Sequence, residues 1–127
     1  MPTIGIVGGG NVGANTALFL AERNVADVLV YDPQEGLSEG KTLDMMEASP
    51  IRRYQTKVAG TSAIEDLLDT DIIMITNGSV RTPGMERDDL FDANRPVIDE
   101  TAAKLTAYKG CVIVLSEPVD LLTTEFV

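Results

Sequence analysis

The stretch Gly8-Gly9-Gly10-Asn11-Val12-Gly13 stands between an apolar tetrapeptide and a helical stripe, and few folds accommodate that succession. Upstream, Ile4-Gly5-Ile6-Val7 reads as a short strand. Downstream, Ala14, Ala17, Leu18 and Ala21 recur at i, i+3, i+4, i+7, the spacing of one apolar helix face. A second apolar run, Val28-Leu29-Val30-Tyr31, ends on Asp32, about 20 residues beyond Gly13. Strand, glycine turn, helix, strand and acid in that order are the βαβ unit that binds a dinucleotide.

Each part of the unit has a physical task. Gly8 permits the tight turn out of the strand. Gly10 has no Cβ, so a diphosphate can approach the backbone, and Gly13 lets the helix lie close on the sheet. The free amides and positive end of that helix, from Asn11 and Val12 onward, then face the phosphates. Asp32 suits a ribose 2′-hydroxyl and would repel a 2′-phosphate, which favours NAD over NADP. The candidate cofactor residues are thus Gly8, Gly10, Asn11, Val12, Gly13 and Asp32. The competing reading is a tight turn in an α/β domain that binds nothing.

The rest of the chain continues the alternation. Ser38 reads as the N-cap of a helix through about Ala48, with Leu43, Met45 and Met46 as core contacts, and Pro50 as its stop. Residues 57–60 form a short third strand, and residues 62–68 one or two helical turns. Asp71-Ile72-Ile73-Met74-Ile75-Thr76 is a strand apolar enough for burial on both faces. A helical region covers about 88–108, with Leu90, Val97, Ile98, Thr101 and Leu105 on one side. Pro96 interrupts it, and Asn94 can cap the second segment. Residues 111–115 are a fifth strand, and a last helix starts near Leu121. Right-handed crossovers then give an α/β fold of the Rossmann type, a doubly wound parallel sheet of five strands in order 3-2-1-4-5. A sixth strand and a second domain are expected beyond Val127, so residues 1–127 read as one cofactor domain of a longer two-domain protein.

Composition narrows the partners. With 20 acidic and 10 basic residues the net charge is −10, which disfavours nucleic acid and anionic membranes. No apolar run approaches the roughly 18 residues that cross a bilayer. The one cysteine, Cys111, excludes an internal disulfide, and with no signal-like start a cytoplasmic setting is expected. The chain has no histidine, and no metal-ligand set is read from it.

Between the fourth strand and the long helix lies a loop of about ten residues, long for such a connection and suited to a lid. It carries Arg81 and Arg87. A guanidinium grips a carboxylate through two parallel hydrogen bonds, so the pair suits a small dicarboxylate. On residue chemistry alone the same arginines also read as solvated charges balancing nearby acids.

The chain resembles the NAD-binding half of the lactate/malate dehydrogenase family. Gly8 to Gly13, Tyr31-Asp32, Gly40-Lys41-Thr42-Leu43-Asp44-Met45, residues 81–87 (Arg-Thr-Pro-Gly-Met-Glu-Arg), Asn94 and Ser116-Glu117-Pro118-Val119-Asp120 carry the likeness. The resemblance implies NAD at Gly8 to Gly13 and Asp32, with Asn94, Leu115 and Glu117 beside the cofactor. It implies substrate carboxylates, those of malate or oxaloacetate, at Arg81 and Arg87, with Glu117 also facing substrate. Arginine at 81 is similar to malate-type members, where lactate-type members tend to carry glutamine. It further implies a homodimer or homotetramer, and a catalytic histidine outside these residues, so no catalytic residue is expected within the chain. Two departures stand out. Glu117 replaces the family's asparagine, whose amide can donate where an ionised carboxylate cannot. Asn77 replaces a small residue near the cofactor path. Glu117 keeps a lactate-type or other 2-hydroxy-acid dehydrogenase open as an alternative, and an inert NAD-binding module is another.

Overall fold

Along β1 (Thr3–Val7) the side chains alternate between two helical layers, and this alternation organises the molecule. Ile4 and Ile6 pack with Ala17, Ala21, Val28 and Val30 on one face of the sheet. Val7 packs with Tyr31, Ile73, Ile75 and Ile98 on the other. A strand places successive residues on opposite faces, so a run apolar at every position needs cover on both sides. The computed structural model describes residues 1–127.

The element order is β1, α1 (Asn11–Glu22), β2 (Asp27–Tyr31), α2 (Leu37–Arg52), β3 (Val58–Thr61), a 3₁₀ turn (Ile64–Asp69), β4 (Ile72–Ile75), α3 (Arg87–Lys104), β5 (Cys111–Val114) and α4 (Val119–Phe126). All pairings are parallel, in the order β3-β2-β1-β4-β5, as the crossover rule requires. Ile6 stands opposite Val30 on β2 and Met74 on β4. α1 and α2 cover one face. The 3₁₀ turn, α3 and α4 cover the other. The switch in winding direction falls between β1 and β4, at whose carboxyl ends ligands of such sheets bind.

Five local expectations are corrected. Ser38 is not a cap: it lies inside α2, fully buried, and its hydroxyl donates to the Thr61 carbonyl at 2.9 Å. The helix instead starts from Gly36 with φ +81°, and Ser38 ties α2 to the end of β3. Pro50 does not stop α2, which continues to Arg52 and ends on left-handed Arg53. In the last turn a proline forfeits one intrahelical bond, which the packing of the helix offsets. Pro96 does not divide α3, and Asn94 is not a cap. Both Pro96 and Asp92, whose carbonyl loses its partner, are exposed, so water can satisfy that carbonyl. Leu43 is largely exposed, while Met45 and Met46 do pack against the core.

Candidate functional site

The turn after β1 is built by close approach. Gly8 adopts φ +115°, and its amide donates to the Tyr31 carbonyl at 2.8 Å. A Cβ on Gly13 would lie 1.8 Å from the Gly8 carbonyl oxygen, so α1 crosses the turn at a distance only glycine allows. Thr76, at the end of β4, donates its hydroxyl to the Val7 carbonyl at 2.8 Å and closes the floor. At Gly10, by contrast, an added Cβ would meet nothing within 4 Å. Gly10 is the N-cap of α1 and supplies no side-chain acceptor, so the first amides of the helix have no cap.

These features open onto one groove of about 370 Å³ at the carboxyl edge of the sheet. Gly8, Gly10, Asn11 and Asp32 line one side, and Thr76 and Gly78 the floor. Val12, Val80 and Val97 supply exposed apolar walls. Asp32 is half-buried, and its two oxygens accept from the Gly9 amide at 2.8 Å and the Gln34 amide at 2.9 Å. A carboxylate offers about four lone-pair sites, so two remain for a hydroxyl. An uncapped helix start, an open glycine and a free acceptor fit a dinucleotide diphosphate and its ribose. When bound, the nicotinamide of such a cofactor supplies a hydride donor or acceptor.

A second hollow of about 180 Å³ shares Val12, Thr76, Asn77, Gly78 and Val80 with the groove. It brings Arg81 together with Leu115, Ser116 and Glu117, residues far apart in sequence. Arg81 is exposed, and its Nε donates to the Met85 carbonyl within its own loop at 3.0 Å. Arg87 is not in this hollow. It forms an ion pair with Asp120 at the start of α4, both side chains more than half exposed. The Arg87 guanidinium holds the Asp120 carboxyl below its ordinary range, so the pair persists at neutral pH and breaks when acid protonates Asp120.

Asn94 is 1% exposed and ties three segments together. Its Oδ1 accepts from the Ser79 amide at 2.6 Å, and its Nδ2 donates to the carbonyls of Ser79 and Glu117 at 3.1 and 2.8 Å. Asn94 thereby sets the loop after β4 against the turn after β5. Asn77 donates to Thr101 Oγ1 at 3.1 Å, and its own Oδ1 is buried without a donor. Ser116 anchors the turn by donating to the Asn77 carbonyl at 2.5 Å. Sequence reasoning assigned no part in the site to Thr76 or to Lys41, whose Nζ donates to the Gly9 carbonyl at 2.6 Å. A threonine closing a strand carries no signal of its own. Lys41 did lie within a segment of family likeness.

Known proteins resemble the chain in sequence and in fold. Residues 3–127 match the family model described as lactate/malate dehydrogenase, NAD binding domain. The malate dehydrogenase of Bacillus subtilis strain 168 is 40% identical over 124 residues, which cover 94% of this chain and 40% of that protein. The malate dehydrogenase of Methanosarcina acetivorans is 40% identical over 125 residues, covering 97% of this chain and 41% of that protein. Among solved structures, Plasmodium falciparum malate dehydrogenase superimposes with a TM-score of 0.93 at 34% identity, over 99% of this chain and 41% of the other. The lactate dehydrogenase of Cryptosporidium parvum, solved with lactic acid and nicotinamide adenine dinucleotide, gives 0.90 at 29% identity, over 98% and 40%. The chain thus spans about two fifths of the length of these relatives.

Proposed function

Because the chain belongs to the lactate/malate dehydrogenase family, as its NAD-binding domain, we propose that it is the cofactor domain of a two-domain malate dehydrogenase interconverting malate and oxaloacetate. The observation that carries this reading is the convergence of the uncapped α1 start, open Gly10 and Asp32 on one groove. In the proposal the diphosphate rests over Gly10 and the amides of Asn11 and Val12, with Gly8 and Gly13 shaping the turn. Asp32 accepts from the adenosine ribose and repels a 2′-phosphate. Leu115 and Glu117 border the nicotinamide end, with Asn94 positioning both the loop and the Glu117 carbonyl. The catalytic histidine that the family implies comes, in this proposal, from outside these residues, since the chain has none.

Titrating the chain with NADH and NADPH tests the cofactor. NADH is expected to bind at least about tenfold tighter than NADPH, and Asp32→Ser to weaken NADH and bring the two within a few-fold. No heat with NADH, and no competition by NAD, would sink the reading.

Arg81 and Arg87 grip the substrate carboxylates in this proposal, Arg87 exchanging the Asp120 carboxylate for that of the substrate. Glu117 favours a second reading, because a carboxylate in the same hollow as Arg81 opposes a second acidic group on the ligand. Lactate-type specificity is that alternative. With NAD present, malate is expected to move the Arg81 and Arg87 side-chain Nε–H resonances more than lactate does, and stronger binding of lactate would replace malate in the assignment. Glu117→Asn is expected to tighten malate by about tenfold, the equivalent of ~1.4 kcal/mol. An unchanged affinity would mean that this carboxylate points away from substrate. Self-association as a dimer or tetramer and a cytoplasmic setting, which suits a free, exposed Cys111, complete the proposal. Analytical ultracentrifugation of the complete enzyme tests the former.

A further inference from the structure

Lys41 is half-buried on α2, and its ammonium donates to the Gly9 carbonyl at 2.6 Å. It enters none of the ion pairs of the protein, although acids outnumber bases by 20 to 10. A half-buried ammonium without a carboxylate loses hydration for one neutral acceptor, which is an unfavourable exchange unless the position serves something else. The acceptor it takes is informative. The Gly9 carbonyl and the Gly10 amide belong to one planar trans peptide, in which C=O and N–H point to opposite sides. Gly10 lines the cofactor groove, and neither Gly9 nor Lys41 does. Lys41 thus lies outside the lining of the groove, and a Gly9 carbonyl turned to it leaves the Gly10 N–H on the opposite side of that peptide. The adjoining peptide is held from its other end, where the Gly9 amide donates to Asp32 at 2.8 Å.

We propose that Lys41 is a positioning residue for the diphosphate of the dinucleotide: it fixes the Gly9–Gly10 peptide so that the Gly10 amide donates into the groove, and its charge strengthens that donor. The inference rests on the NAD reading above and adds a residue that touches no part of the ligand. A charged donor on the carbonyl polarises the peptide and makes the N–H on its far side a stronger partner for an anion.

A ligand series separates this role from general support of the fold. NADH, ADP-ribose and adenosine are titrated into the wild-type chain and into Lys41→Met, which keeps most of the side-chain length and loses the donor. Lys41→Met is expected to weaken NADH and ADP-ribose by about tenfold and adenosine by less than twofold. In ¹⁵N NMR the Gly10 amide of the wild type is expected to move downfield on adding ADP-ribose, with most of that shift lost in Lys41→Met. Lys41→Arg is expected to restore both the affinity and the shift. Lys41→Gln, which keeps a donor without the charge, is expected to fall between, and it decides the matter if the methionine variant fails to fold. Equal weakening of adenosine and ADP-ribose would reduce Lys41 to structural support. Unchanged affinity for all three ligands would overturn the proposal while the NAD reading stands. A wild-type chain that binds neither NADH nor ADP-ribose would overturn both.

Discussion

Gly13→Ala is expected to cost about 3 kcal/mol of folding stability or more, the upper range for overpacking a tight contact. The added Cβ would stand 1.8 Å from the Gly8 oxygen and 2.8 Å from Thr76 Oγ1. Neither neighbour can retreat cheaply. The Gly8 amide is bonded to Tyr31 across the sheet, and the Thr76 hydroxyl to Val7. α1 would have to lift from the sheet, exposing Ala17 and Ala21, both fully buried. Alanine's better helix propensity returns only about 1 kcal/mol. Since domains of this size are stable by about 5–15 kcal/mol, the loss is a large fraction of the total. Urea unfolding measures it, and an unchanged midpoint would contradict the close crossing of α1 over the turn. Gly10→Ala is the paired control. Its Cβ meets no protein atom within 4 Å, so the midpoint is expected to stay while NADH binding weakens by about tenfold or more.

Asn94→Leu is expected to cost about 2 kcal/mol and to loosen the loop after β4. The substitution keeps the branched heavy-atom skeleton but leaves the Ser79 amide and two carbonyls without their partner. Asn94→Asp should do no better: Oδ1 can still accept from Ser79, but an ionised carboxylate then faces the carbonyls of Ser79 and Glu117. Hydrogen exchange at Ser79 reports the loosening directly, and cofactor affinity should fall with it, since Gly78 lines the groove. Protection at Ser79 equal to wild type would show that Asn94 does not hold the loop.

The two variants mark how far residue patterns reach. Gly13 and Gly10 were both legible, because a glycine turn between a strand and a helical stripe has one well-understood geometry. The two differ in consequence: Gly13 meets protein and Gly10 meets open groove, a difference absent from the motif. Asn94 was placed beside the cofactor by resemblance, and as a cap by its neighbour Pro96. In the structure it is no cap but a three-way tie inside an unbroken helix. Ser38 erred in the same manner, since a serine before a helical pattern has the chemistry of a cap and of a cross-link alike.

Arg81 and Arg87 separate the two kinds of knowledge most clearly. Their spacing in one loop suggested a joint grip on a dicarboxylate. In the structure Arg81 shares a hollow with Glu117, while Arg87 is held by Asp120. That division depends on where α4 lies against α3, which the loop's own residues do not encode.

Hydrophobic periodicity and the glycine turn determined the layers, the strand order and the position of the groove, because backbone geometry ties those features to residues close in sequence. Tertiary packing alone decided that Lys41 reaches the Gly9 carbonyl, that Asn94 bridges two loops and that Arg87 meets Asp120. Each of these contacts joins polar groups on different elements, and a polar side chain takes whichever partner the settled backbone sets within about 3 Å of it.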